Sequence, residues 1–123
     1  LGHVDNDLLK NYYGPSDLCV VPSITHEMVD AWAFVVNEAM YYGNPVIATD
    51  AVGSAVDMIQ DGKNGFIVPE RDSTALYNSM KLILSQDELR EKMGKTSKEI
   101  VETNFSYKNM VEGFQKAINF VKK

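Results

Sequence analysis

The chain has 123 residues, of which 45% are hydrophobic and 24% charged, so it can fold as one small globular domain. Its net charge of −5 argues against nucleic-acid binding, which needs clustered Lys and Arg side chains. Cys19 is the single cysteine, so no disulfide forms within the chain. No apolar run approaches the roughly 20 residues of a membrane-spanning helix, and we expect no signal peptide. We therefore expect a reducing, cytoplasmic setting.

Helix and strand patterns alternate along the first half of the chain, and the second half is helical. Two separated histidines and one cysteine give no metal-ligand spacing, so no metal site is expected. The predicted elements, in chain order, are a strand end over 1–4, a helix over 5–13, a strand over 18–21, a helix over 33–42 that Gly43 ends, a strand over 46–48, a short helix over 54–60 that Ser54 can cap, and a strand over 66–68. Three more helices follow: one starts at Asp72 or Ser73, one opens with the capping-box form Ser85-Gln86-Asp87-Glu88, and one is capped by Ser106.

This alternation predicts an α/β fold with a parallel sheet between layers of helices. Sheets of this kind bind ligands beyond the carboxyl ends of their strands. The loops over 22–33 and 49–54 both leave strands at that edge. We therefore expect the functional site to lie between these two loops.

The most informative segment is 30–49, which reads DAWAFVVNEAMYYGNPVIAT and has the order loop, helix, turn, strand. A loop that enters a helix offers unpaired backbone N–H groups and the positive end of the helix dipole, which suits phosphate. Glu38, one or two turns into the helix, can accept hydrogen bonds from sugar hydroxyls. Together these features predict a nucleotide-sugar pocket.

Structural alternatives remain open for several of these residues. Asp30 can simply cap the helix that follows it, a common role for aspartate. Gly53 and Ser54, at the start of the next short helix, either hold phosphate or form a turn. His26 and Glu27 either contact the sugar or acceptor or supply ordinary loop polarity.

Residues 30–40, Asp-Ala-Trp-Ala-Phe-Val-Val-Asn-Glu-Ala-Met, resemble the nucleotide-sugar signature of retaining group 1 (family 4) glycosyltransferases, in which seven residues separate two acidic ones. The similarity continues through 43–50 and 61–69 and covers nearly the whole chain. The resemblance implies a three-layer Rossmann-like sheet. It also implies that 1–123 is the C-terminal part of the donor-binding domain of a GT-B enzyme, with a terminal helix over about 106–123.

The resemblance implies residue roles as well. Asp30 would be the catalytic carboxylate beside the transferred sugar, and Glu38 would bind the ribose of the donor. The backbone amides of Ala33, Phe34 and Val35 would hold the donor sugar or its distal phosphate. Gly53-Ser54 is the further candidate for donor binding. Asp30 stands where the family usually has Glu, and Ala33 stands where it usually has Gly.

The implied activity is transfer of a hexose from a nucleoside-diphosphate sugar to a glycan or lipid-linked acceptor, with retention and without a metal or other cofactor. The family's Gly-Arg loop, its Lys and its acceptor domain have no match here. The chain alone is therefore expected to be inactive, and any peripheral association with the inner face of a membrane would run through the missing domain. Two rivals remain, a nucleotide-sugar epimerase and a non-catalytic binding module; an epimerase would act on the donor without any acceptor.

Overall fold

The computed structural model describes residues 4–25 and 31–122. Within these ranges, three parallel strands form one sheet in the order β1-β2-β3, with β2 in the centre. The predicted strand end at the start of the chain falls mostly on residues 1–3, outside the described residues. The elements are α1 (Asn6–Tyr13), β1 (Cys19–Val21), α2 (Phe34–Tyr41), β2 (Val46–Thr49), α3 (Ala55–Met58), β3 (Gly65–Val68), α4 (Ser73–Leu84), α5 (Asp87–Asn104) and α6 (Tyr107–Val121).

The central strand β2 is buried along its whole length because both faces of the sheet are covered. Val46 and Ala48 pack in one core cluster, which also contains residues of α2, α3 and α5. Ile47 points to the other side, into a second cluster with Ile83 of α4 and Met93 of α5. Alternation along a strand sends successive side chains to opposite faces, which explains the division. The predicted α/β fold with a three-layer parallel sheet is confirmed.

The pairing register brings the strand ends together. Cys19 pairs with Val46, and Val46 pairs with Gly65, so all three strands begin at one edge of the sheet. Their carboxyl ends, Val21, Thr49 and Val68, lie at the opposite edge. The connections that leave this edge are those over 22–33, 50–54 and 69–72. The first two correspond to the loops between which the sequence predicts the functional site.

Several helix ends follow the predicted chemistry. Gly43 adopts a φ of 80°, which few other residues tolerate, directly after α2. Asp72 caps α4 by accepting a hydrogen bond from the Ala75 amide at 2.9 Å. Ser106 forms a capping box with Asn109 at the start of α6.

Two predicted serine caps are wrong. Ser54 makes no capping hydrogen bond, and its own backbone is already helical, whereas an N-cap residue is usually extended. Ser85 ends α4 instead of opening α5, because its hydroxyl donates to the Leu82 carbonyl at 3.3 Å. Gln86 takes the N-cap position of α5.

Helix α6 has an amphipathic sequence, but its apolar stripe is exposed in the described structure. Met110 is 50% exposed and Phe114 is 65% exposed. None of the helices in the described ranges is long and apolar enough to cross a bilayer.

Candidate functional site

Hydrogen bonds tie together the three connections at the carboxyl edge of the sheet. The Thr49 hydroxyl donates to the Ser23 carbonyl at 2.5 Å. The Thr25 amide donates to Glu70 Oε2 at 2.5 Å, and the Glu70 amide donates to Asp50 Oδ1 at 2.8 Å. The chain leaving β1 is therefore held against the chain leaving β2 and β3.

Gly53, in the connection after β2, makes a close backbone contact at the same edge of the sheet. A Cβ atom placed on Gly53 would lie 2.3 Å from the Ala31 carbonyl oxygen, far inside van der Waals contact. Only a residue without a side chain permits this approach, so Gly53 packs the loop after β2 against the chain entering α2. His26, Glu27 and Asp30, which lie between these anchored points, are outside the described residues.

The N-terminus of α2 starts immediately after this contact. Ala33 is the N-cap residue, with φ −72° and ψ 100°, and it is buried. Because a methyl side chain accepts no hydrogen bond, the amides of Phe34 and Val35 gain no acceptor from the capping residue. Among residues 4–25 and 31–122 no acceptor binds these two amides, and the positive end of the helix dipole at this point favours an anion.

Glu38 lies one turn farther along α2 and lines a groove of about 610 Å³. Trp32, from the loop before α2, lines the groove and packs against Phe105, with 6.1 Å between ring centroids. Phe34 is 73% exposed at the same groove. The residues that line it come from the start of α2 and from the junction of α5 and α6: Trp32, Phe34, Asn37, Glu38, Asn104, Phe105, Ser106, Tyr107, Asn109 and Met110.

Tyr13 contacts the Glu38 carboxylate, and no motif in the sequence indicates this contact. Its hydroxyl donates a hydrogen bond to Glu38 Oε2 at 2.9 Å. Its ring stacks on Tyr42 with 5.6 Å between centroids, and its carbonyl accepts from Asn44 Nδ2 at 2.9 Å. The two tyrosines and Glu38 also line a smaller cavity of about 290 Å³. Glu38 thus lies between two cavities.

Tyr13 and Cys19, which both lie near Glu38, have raised pKa values. Burial, followed by the hydrogen bond to Glu38 and the charge of this carboxylate, raises the pKa of Tyr13 far above its ordinary value. Burial and then the Glu38 charge raise the pKa of the Cys19 thiol as well. Tyr13 is therefore a hydroxyl donor throughout the physiological pH range, and Cys19 is a neutral thiol rather than a nucleophile at neutral pH.

The candidate residues form two groups in the described structure. Glu38 shares its groove with Phe34 and Trp32, whereas Gly53 and Ser54 line neither cavity that contains Glu38. Ser54 is fully buried, and its hydroxyl has no hydrogen-bond partner among the described residues. In the same ranges, no three His, Cys, Asp or Glu side chains are placed to share a metal ion.

Comparison with known proteins identifies the family to which the chain belongs. The family model described as glycosyl transferases group 1 matches residues 1–100. Spore coat protein SA of Bacillus subtilis (strain 168) is 34% identical over 105 residues, which are 85% of this chain and 27% of that protein. The capsular polysaccharide biosynthesis glycosyltransferase CapM of Staphylococcus aureus is 30% identical over 117 residues, 95% of this chain and 29% of that protein.

Solved structures agree with the sequence relatives. Sucrose-phosphate synthase from Thermosynechococcus elongatus superposes with a TM-score of 0.82 and 30% identity, covering 100% of this chain and 30% of that one. The chain therefore spans less than a third of the length of each of these three proteins.

Proposed function

Because the chain belongs to the glycosyl transferases group 1 and has the fold of part of a GT-B C-terminal domain, we propose that it binds the donor in a nucleotide-sugar-dependent hexosyltransferase. The enzyme is of family 4 and passes the sugar to a glycan or lipid-linked acceptor, with retention and without a metal. The reaction takes place in the cytoplasm, at the inner face of the membrane where the acceptor is a lipid.

The observation that carries this proposal is the position of Glu38 relative to the start of α2. The groove that Glu38 lines also reaches Phe34, the first residue of α2, whose N-cap residue Ala33 has no side-chain acceptor. Glu38 is four positions after Phe34, a rise of about 6 Å along the helix axis. In the proposed complex, the amides of Ala33, Phe34 and Val35 bind the donor sugar or its distal phosphate, and Glu38 accepts hydrogen bonds from the ribose hydroxyls.

The remaining roles are proposed at the carboxyl edge of the sheet. Asp30 binds a hydroxyl of the transferred sugar and stabilises the positive charge that develops at the anomeric carbon. The anomeric C–O bond breaks and its electron pair leaves with the diphosphate, while the acceptor hydroxyl oxygen bonds to the same face of the sugar and gives its proton to the departing diphosphate oxygen. Gly53 and Ser54 hold the second connection beside the donor. Gly53 supports this role through its close approach to Ala31.

Replacing Glu38 by alanine in the full-length protein is expected to weaken nucleoside diphosphate binding. Losing a hydrogen bond to a charged group costs roughly 1.5–3 kcal/mol, which corresponds to about 10- to 150-fold in affinity. Calorimetric titration with uridine, guanosine and adenosine diphosphates measures the change. Glu99→Ala, at an exposed glutamate on α5, is the control and is expected to bind as the wild type does. Equal affinities for Glu38→Ala and wild type would remove Glu38 from the ribose site.

A further inference from the structure

We propose that Tyr13 is a positioning residue for Glu38: its hydroxyl holds one carboxylate oxygen in place, so that the other faces the ribose of the donor. This inference rests on the proposed function of Glu38. It goes beyond it because Tyr13 lies on α1, 25 residues before the carboxylate, and outside the segment that suggests donor binding.

The direction of the hydrogen bond is fixed by chemistry. An ionised carboxylate only accepts, so the Tyr13 hydroxyl is the donor across the 2.9 Å to Glu38 Oε2. A bond to a charged acceptor is stronger than one between neutral groups. Because burial and Glu38 raise the pKa of Tyr13, the hydroxyl keeps its proton over the range in which enzymes are assayed. Within residues 4–25 and 31–122, Tyr13 is the one hydrogen-bond partner of this carboxylate, so the proposal leaves Glu38 Oε1 to the ligand.

Tyr13 is itself held by a ring contact and a backbone hydrogen bond, as a positioning residue requires. The Tyr42 ring stacks on it with an angle of 11° between the planes, and Tyr41 packs against Tyr42 edge-on at 5.5 Å. Asn44 is 2% exposed and donates to the Tyr13 carbonyl, which fixes the backbone at the end of α1. The hydrogen bond therefore ties the Glu38 side chain to a residue of α1 that Tyr42 and Asn44 also contact.

A held carboxylate binds better than a free one because its rotamers are restricted before the ligand arrives. Without the Tyr13 hydroxyl, Glu38 would have to be ordered on each binding event. We expect this to reduce nucleotide affinity by about 3- to 10-fold. If the hydroxyl instead competed with the ribose for Glu38, its removal would strengthen binding, so the sign of the effect separates the two roles.

The test is titration of the full-length Tyr13→Phe variant with uridine, guanosine and adenosine diphosphates. Phenylalanine keeps the ring that stacks on Tyr42 and removes only the hydroxyl. The control is Tyr12→Phe, which removes a hydroxyl from the preceding, 43% exposed residue of the same helix. We expect about 3- to 10-fold weaker binding for Tyr13→Phe and wild-type affinity for Tyr12→Phe.

The Tyr13→Phe/Glu38→Ala double variant shows whether Tyr13 acts through Glu38. If it does, removing the hydroxyl has no further effect once the carboxylate is gone. The same loss in both backgrounds would assign the effect to the fold and overturn the proposal, and so would unchanged or tighter binding by Tyr13→Phe alone. If Glu38→Ala itself binds normally, the donor site has failed and not merely the role of Tyr13.

Discussion

Replacing Gly65 by alanine is expected to destabilise the domain by at least about 3 kcal/mol, the upper end of the usual cost of overpacking. A Cβ atom at this position would lie 1.8 Å from the Val46 carbonyl oxygen. Both residues belong to the paired strands β3 and β2, so the clash cannot be relieved by rotating a side chain. The strands would have to separate and lose part of their hydrogen-bond ladder.

Urea unfolding of the full-length protein, followed by far-ultraviolet circular dichroism, measures this loss. Gly113→Ala is the control, because a Cβ atom there meets nothing within 4 Å and the residue lies inside α6. Alanine in a helix is favoured over glycine by roughly 0.5–1 kcal/mol, so this variant is expected to be as stable as the wild type or slightly more so. A Gly65→Ala protein with wild-type stability would show that the tight β2–β3 approach is not needed.

Replacing Gly53 by alanine is expected to reduce the sugar transfer rate of the full-length enzyme by about 100-fold. The added methyl group would lie 2.3 Å from the Ala31 carbonyl oxygen, so the loop after β2 and the entry to α2 must move apart by about 1 Å. A displacement of this size at groups that position a substrate can cost about 100-fold in rate. The loss arises because this contact closes the carboxyl edge where the donor is proposed to bind.

Steady-state assays at a temperature well below the unfolding midpoint of each variant separate this effect from simple instability. Gly62→Ala is the comparison, since a Cβ atom at Gly62 meets nothing within 4 Å although its φ is 75°. Gly62→Ala is expected to lose about 1 kcal/mol or more of stability, because alanine is strained at this φ, and to keep its transfer rate. Similar rates for Gly53→Ala and wild type would contradict a role for the Gly53–Ala31 contact in catalysis.

The fold could be predicted because local signals and burial agree along most of the chain. The apolar run that became β2 is flanked by turn residues, and the structure buries all four of its residues. The cap predicted at Ser85 failed for a physical reason. A serine hydroxyl can also donate to a carbonyl three or four residues earlier in a helix, and at Ser85 the preceding helix supplied that acceptor, the Leu82 carbonyl.

The candidate site was predictable only within one segment. The spacing along α2 identified the helix start and Glu38, both of which lie at one groove. Tyr13 was missed because helical periodicity describes one face of α1 and says nothing about a partner 25 residues away. The tight contact at Gly53 was also not readable, since a glycine in a loop serves a turn and a close backbone approach equally well.

The most direct test asks whether Glu38 recognises ribose hydroxyls. Wild-type and Glu38→Ala proteins are titrated with the tightest-binding nucleoside diphosphate and with its 2′,3′-dideoxy analogue. We expect removal of both hydroxyls to weaken wild-type binding by more than about 10-fold and to have little effect on Glu38→Ala, because the lost partner is the same in both. An equal loss in the two proteins, or no preference for the hydroxyls in the wild type, would contradict the assignment of Glu38 to the donor ribose.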